Sequence, residues 1–466
     1  MQLVPAMDAV YLWGEGPGSP SHVIALQLFR PPEGAGPELL DALHEGMTDP
    51  EHVKRSFRRR PVRSWSTAGQ FAWVVDDDID MALHVHRVGL PRPGRVRELF
   101  EHLGEWHGVP LARDRPLWEA HLVEGLADGR FALCTKMHHA SFDGVNMGRH
   151  LLGGLSTDPS ARGGTAPWMT PPAQRGVPRT PRPESSWGET ARGVVDAVGS
   201  VARSLPSLAD AGYTALREQS VALPYDAPAT RLNGPVSSAR RFAGDSWPVD
   251  RLRSVARRTG TTSNDVALAM CAGALRTYLD ERGELPDEPL VGMVPVSLEG
   301  TDPHGAAREG NAWAAVLCGL ATDVDDPLAR VGAVHSSMRR SKDLMASLDP
   351  VSASTVSALT MGGAVPISVP GLPRLPRPPF NLIISTVPAA RETLYLDGCE
   401  LTDNYPISMV LDGQALNITI IPYAERMAFG ITGCHRSVPR LQRLLVHLET
   451  ALADLEKETA DLDAPA

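Results

Sequence analysis

The sequence predicts an α/β (α+β) protein built from two structured lobes, and three observations carry that expectation. Strand-like and helix-like periodicities alternate in both halves of the chain. A stretch crowded with Pro, Gly, Ser and Thr begins near residue 156 and separates the halves. At 466 residues the chain is also too long for a single ordinary hydrophobic core.

Residues 1–155 form the first expected lobe. The run "HVIALQLF" (22–29) reads as a strand, and "RVRELFEHLGEWHG" (95–108) as an amphipathic helix with apolar positions three and four apart. "WEAHLVEGL" and "GRFALCTKMHH" read as two strands joined by "ADGR" (127–130), where Asp-Gly signals a hairpin. Residues 156–230 read as a linker that includes a helix at 188–217, with Val194, Val195, Val198, Val201, Ala202 and Leu205 on one stripe. That stripe either packs against a neighbouring lobe or, with Arg192 and Arg203 beside it, lies on a membrane surface.

The second expected lobe runs from 231 to 456, followed by a tail at 457–466. "SNDVALAMCAGALRTYLDERG" (263–283) predicts a helix with Ser263 or Asn264 as N-cap and Gly283 as its stop. "EPLVGMVPVSL", "WAAVLCGLAT", "FNLIISTVP", "QALNITIIPY" and "RMAFGITGC" are strand-like, and "DGQALNITI" is expected where the lobes meet. A last helix carries Leu441, Leu444, Leu445, Leu448, Leu452 and Leu455 on one face.

Composition narrows the function. A hydrophobic content of 42%, a charged content of 21% and a net charge of -10 describe a globular protein with no concentrated basic face for nucleic acid. The five cysteines are scattered and include no CxxC pair, which fits a reducing cytosol better than a disulfide framework. The N-terminal "MQLVPAMDAVYLWGEG" lacks the layout of a signal peptide, and no run of about 18 apolar residues occurs, so membrane contact is expected to be peripheral only.

The stretch "CTKMHHASFDG" (134–144) carries the chemistry. On a strand, His138 and His139 point to opposite faces, whereas a chelating pair would be two apart on a strand or three to four apart on a helix. A metal site is therefore not expected. Two readings remain: both rings are hydrogen-bonded core groups, or one ring is a general base facing a cavity while the other anchors the turn. Gly144 allows a backbone that a side chain would forbid. A buried Asp143 needs a cation, and "SFRRRP" (56–61) offers Arg58, Arg59 and Arg60.

His138, His139, Asp143 and Gly144 match the HHxxxDG signature of acyl-CoA-dependent acyltransferases with the chloramphenicol acetyltransferase and condensation-domain fold. Six further runs, "MDAVYLWGEGPGSPSHV", "RPLWEAHLVEGL", "RLNGPVSSARRFA", "SNDVALAMCAGALRTYL", "VPVSL" and "YPISMVLDGQALNITI", resemble the bacterial wax ester synthase/diacylglycerol acyltransferases, in that family's order. Where the family commonly reads SNVPGP, this chain has Ser385-Thr386-Val387-Pro388-Ala389-Ala390, so Thr386 replaces an amide and two alanines replace a Gly-Pro turn.

The resemblance implies two chloramphenicol-acetyltransferase-like lobes, each a mixed sheet flanked by helices, with a substrate tunnel between them. It implies transfer of a long-chain acyl group from acyl-CoA, a co-substrate rather than a bound cofactor, to the hydroxyl of diacylglycerol or of a long-chain fatty alcohol. His139 becomes the general base, His138 an orienting residue, and Asp143 a structural partner of Arg58. Asn264 is the candidate oxyanion donor, with simple N-capping as its alternative role. Pro116, Leu117, Trp118 and Asp265 are expected to bind substrate, Trp118 either lining an acyl tunnel or packing in the core. The expected location is the cytoplasm, with peripheral attachment to the inner membrane or to lipid droplets. The alternatives are a catalytically silent lipid-binding protein of the same fold and an acyl-CoA thioesterase.

Overall fold

A computed structural model describes residues 2–16, 18–63, 67, 69–142, 144–171, 222–297, 313–348, 356–357, 360 and 376–462. The N-terminal half runs through β1 (Gln2–Leu3), α1 (Ala6–Gly14), β2 (His22–Arg30), α2 (Glu38–Met47), β3 (Arg59–Arg63), β4 (Phe71–Val75), β5 (Val85–Gly89), α3 (Val96–His107), β6 (Trp118–Glu124), β7 (Phe131–His138) and α4 (Gly144–Leu152). The C-terminal half continues with β8 (Arg240–Pro248), α5 (Val249–Thr259), α6 (Ser263–Asp280), β9 (Val291–Ser297), β10 (Trp313–Gly319) and α7 (Pro327–Ser347). It closes with β11 (Leu382–Thr386), β12 (Tyr395–Leu396), β13 (Cys399–Ile407), β14 (Leu416–Tyr423), β15 (Arg426–Cys434) and α8 (Arg443–Glu458). The helix expected at 188–217 lies outside the described residues.

Among the described residues, two six-stranded sheets organise the lobes, in the orders β12-β13-β2-β7-β6-β5 and β10-β9-β11-β14-β15-β8, beside a small sheet β1-β4-β3. Both large sheets are mixed. β5 runs parallel to β6, and β11 runs parallel to both β9 and β14, whereas the remaining neighbours are antiparallel. β7, in the interior of its sheet, is buried along its whole length.

The chain order and the sheet order part company at β13. Although it follows the linker by more than 150 residues, this strand pairs antiparallel with β2, from Glu400 opposite Arg30 to Ile407 opposite Ile24. Residues 395–407 therefore complete the N-terminal sheet instead of belonging to the second lobe. β14 forms the interior of the C-terminal sheet, between β11 and β15, while Ile421 and Tyr423 at its end pack into the N-terminal core. The Tyr423 hydroxyl donates to the Leu401 carbonyl of β13 at 2.9 Å and accepts the Leu394 N–H at 2.9 Å.

The lobes also meet where α3 crosses β8. A Cβ on Gly104 would sit 2.9 Å from the Arg240 carbonyl oxygen, and one on Gly108 would overlap that of Ser238, so only glycine admits this approach. The expected linker starts as ordered core rather than as free chain. Trp168 is fully buried, stacks on Trp118 with ring centroids 4.9 Å apart, and donates Nε1–H to the Met47 carbonyl at 2.9 Å. Its indole is too large an apolar surface to leave in water, whatever the surrounding Pro and Gly content.

Candidate active site

β7 ends at His138, opposite His22 of β2, and two backbone bonds hold the chain as it leaves the sheet. The His138 N–H donates to the Leu117 carbonyl at 3.0 Å, and the His139 N–H to the Ser21 carbonyl at 2.9 Å. The sequence turns at once, with the Ser141 N–H donating to the His138 carbonyl at 3.0 Å, and α4 begins at Gly144.

The two rings have different surroundings. His138 is fully buried. Its Nδ1 accepts the Ala140 N–H at 3.1 Å, which leaves the proton on Nε2, directed at Oε1 of Glu15 from 3.6 Å. That separation exceeds hydrogen-bond length, although the Nε2–H still faces the carboxylate. His139 is half-buried, and its ring stacks on Tyr11 of α1 with centroids 4.3 Å apart and planes 26° from parallel. Burial, reinforced by the nearby Asp8 carboxylate, pushes the Tyr11 hydroxyl up to about 12, so it stays protonated.

Glu15 lies in this site, although the sequence alone does not single it out. Its side chain is only 6% exposed, accepts the Ser21 N–H at 3.0 Å, and pairs with Arg113 at 2.8 Å. Burial works to raise its carboxyl, yet His138, Arg113 and the Ser21 N–H outweigh burial and hold it down to about 2. The available signal was a single acid in the otherwise apolar and Gly-rich "YLWGEG".

A second polar group lies behind β7. Lys136 is fully buried and donates to the carbonyls of Trp106 at 3.0 Å and Val109 at 2.6 Å. Burial lowers its ammonium to about 8. His22 and His107 are also buried, with His22 Nε2 donating to the His107 carbonyl at 2.8 Å, and burial drives both imidazoles toward the neutral form.

The PLW element packs in the core beside this turn. Pro116, Leu117 and Trp118 are all buried. Leu117 packs with Leu12, Phe71, Leu111 and Ala140. Trp118 is stacked between His84 and Trp168, and its Nε1–H donates to the Phe57 carbonyl at 2.7 Å. Its indole N–H must find an acceptor once buried, and the core supplies one.

Asp265 is buried in the cap of α6. Thr262, rather than Ser263 or Asn264, caps α6: its hydroxyl accepts the Asp265 N–H at 3.2 Å, and the Asp265 carboxylate accepts the Thr262 N–H at 3.0 Å. The same carboxylate oxygen, Oδ2, also accepts from Thr262 Oγ1 at 2.7 Å and lies 2.8 Å from His335 Nδ1. Asn264 is therefore not the cap. It is half-buried, and its Oδ1 accepts the hydroxyl of Thr386, at the end of β11, at 2.8 Å. Asp143 lies outside the described residues, and with it the expected pair with Arg58. The Arg58 guanidinium donates to the carbonyls of Val53, Asp76, Asp77 and Pro50.

Beyond Thr386 the chain borders an open groove of about 440 Å³. Val387, Pro388 and Ala389 form one wall, and Gly148, Arg149 and Leu152 of α4 form the other. The groove thus joins the helix after the histidine pair to the strand end that holds Asn264. Apart from Arg149 its lining is small or apolar, a surface suited to an alkyl chain.

Comparison with known proteins agrees with this arrangement. The family model described as the wax ester synthase/diacylglycerol acyltransferase catalytic domain matches residues 4–267, and that of the family's C-terminal domain matches 309–456. A Mycobacterium tuberculosis protein named as a candidate diacylglycerol O-acyltransferase is 45% identical over 97% of this chain and 98% of its own. A second from that organism, similarly named, is 44% identical over 98% and 99%. The solved wax ester synthase/diacylglycerol acyltransferase of Marinobacter aquaeolei VT8 superposes with a TM-score of 0.76 at 33% identity, covering 99% of this chain and 100% of that one. The first condensation domain of the calcium-dependent antibiotic synthetase shares the fold, with a TM-score of 0.57 at 16% identity over 100% and 97% of the two chains. The protein is an acyltransferase and belongs to the wax ester synthase/diacylglycerol acyltransferase family.

Proposed function

We propose that the protein transfers a long-chain fatty acyl group from acyl-CoA to the hydroxyl of diacylglycerol, giving triacylglycerol, and that it accepts a long-chain fatty alcohol as a second acceptor. One observation carries the reading. The half-buried His139 ring is braced by Tyr11 and by its backbone bond to Ser21, just before the helix that walls an apolar groove. The names of the mycobacterial and Marinobacter relatives point to the same substrates.

In this mechanism the acceptor oxygen attacks the thioester carbonyl carbon while His139 takes the hydroxyl proton. The tetrahedral intermediate collapses, the C–S bond breaks, and the same imidazole returns the proton to the thiolate. The products are an ester and free coenzyme A, with no covalent acyl-enzyme. An imidazole suits both transfers because its ordinary pKa lies near neutrality. General-base assistance contributes about 10²–10⁴-fold, and holding two bulky reactants in line supplies much of the remainder. Asn264 donates to the developing oxyanion. The acceptor resides in a lipid phase, so the protein works at a membrane or droplet surface, bound peripherally. None of the described helices is long and apolar enough to cross a membrane.

The test combines long-chain acyl-CoA with diacylglycerol, with hexadecanol or with neither, following free thiol and neutral lipid. Thiol and ester rising together support the proposal. Thiol without ester indicates hydrolysis, and the absence of both indicates a lipid-binding protein.

A further inference from the structure

Thr386 closes β11, and its surroundings leave its side chain little freedom. Its backbone lies in the parallel ladder opposite Ile420, and the next N–H, that of Val387, donates to the Ile420 carbonyl at 2.9 Å. Ser385 points to the other face, where its hydroxyl donates to Thr419 Oγ1 at 2.9 Å. A β-branched residue fixed in this way has a stiff χ1. The Thr386 hydroxyl reaches the N-terminus of α6 and donates to Asn264 Oδ1 at 2.8 Å.

An amide held by its oxygen must turn its NH₂ elsewhere. Thr262 and Asp265 cap the helix between themselves, which frees Asn264 from that duty. Accepting a hydrogen bond at Oδ1 polarises the amide and strengthens its N–H as a donor. Both Asn264 and Thr386 are half-buried, so a substrate can reach them, and the groove wall of Val387, Pro388 and Ala389 starts at the residue after Thr386.

We propose that Thr386 is a positioning residue: its hydroxyl fixes the Asn264 amide so that the NH₂ faces the thioester oxygen as negative charge develops there. This rests on the reading of Asn264 as the oxyanion donor.

The experiment compares the purified full chain with Thr386→Val, Thr386→Ala, Thr386→Ser, Asn264→Ala and the Thr386→Val/Asn264→Ala double variant, measuring kcat, KM and Tm. Asn264→Ala should lower kcat by about 10²–10³-fold, as loss of one oxyanion donor does. Thr386→Val and Thr386→Ala should lower kcat by about tenfold or more with KM and Tm close to the parent, while Thr386→Ser keeps most of the rate. The double variant should be no slower than Asn264→Ala alone. A slow Asn264→Ala alongside a Thr386→Val of parental kcat overturns the positioning role and leaves the oxyanion reading standing. So do equal losses in Thr386→Val and Thr386→Ser, fully multiplicative losses in the double variant, or a kcat loss that only tracks a fallen Tm. A parental kcat for Asn264→Ala overturns the oxyanion reading itself.

Discussion

The Tyr11 ring of α1 lies against the His139 ring, centroids 4.3 Å apart and planes 26° from parallel. This contact joins the first helix of the chain to the residue after β7, and it places Tyr11 beside the proposed base as a support. Aromatic contacts of this kind contribute about 0.5–1.5 kcal/mol beyond burial. Tyr11→Phe should therefore retain close to the parental kcat, whereas Tyr11→Ala should lose up to about tenfold in kcat with little change in KM. Steady-state kinetics on the two purified variants checks this.

Glu15 gives the fold a pH signature. Its carboxyl, ordinarily near 4.5, is held near 2 in the folded protein despite burial, mainly by His138 and Arg113. A carboxyl depressed on folding contributes its full stability above the unfolded value and loses it as pH falls toward the folded one. Glu15→Gln should thus be less stable than the parent at pH 7, by up to about 3 kcal/mol, with the difference shrinking from about pH 4.5 downward. Urea unfolding of both proteins across pH 3 to 7 measures it.

The start of α6 separates stability from turnover. Thr262 is the cap and Asn264 is not. Thr262→Ala should cost about 1 kcal/mol of stability with turnover per folded molecule unchanged. Asn264→Ala should do the reverse. Thermal melts paired with kcat values on the same preparations decide between them.

The groove predicts a chain-length effect. Ala389 forms part of one wall, facing Leu152 and Gly148. Ala389→Phe should fill the space of two or three methylenes, about 2 kcal/mol of lost alkyl burial, or about 30-fold in kcat/KM for long acyl-CoA. Short acyl-CoA should be affected little. The ratio of kcat/KM for C16 and C6 thioesters reads this out.

Much of this architecture was legible in the sequence, and the reasons are local. β7 and β6 announced themselves by apolar runs flanking "ADGR", and α6 by its long helical stretch. The histidine pair stood out because a strand sends neighbouring side chains to opposite faces. What escaped depends on distant partners. Glu15 gains meaning only from Arg113 and His138, about a hundred residues further on. β13 is not among the strand-like runs of the sequence, and its partner, β2, lies about 370 residues earlier. For Trp118 the sequence left core packing and an acyl tunnel open, and the structure stacks it on Trp168, while Asp265 meets His335 about 70 residues further on.

The most direct measurement is the rate of coenzyme A release from long-chain acyl-CoA in the presence of diacylglycerol, comparing the parent with a His139→Ala variant that matches it in circular dichroism and Tm. Removal of the imidazole should slow acyl transfer by about 10²–10⁴-fold without preventing acyl-CoA from binding. A folded His139→Ala protein that forms triacylglycerol at the parental rate would contradict the account.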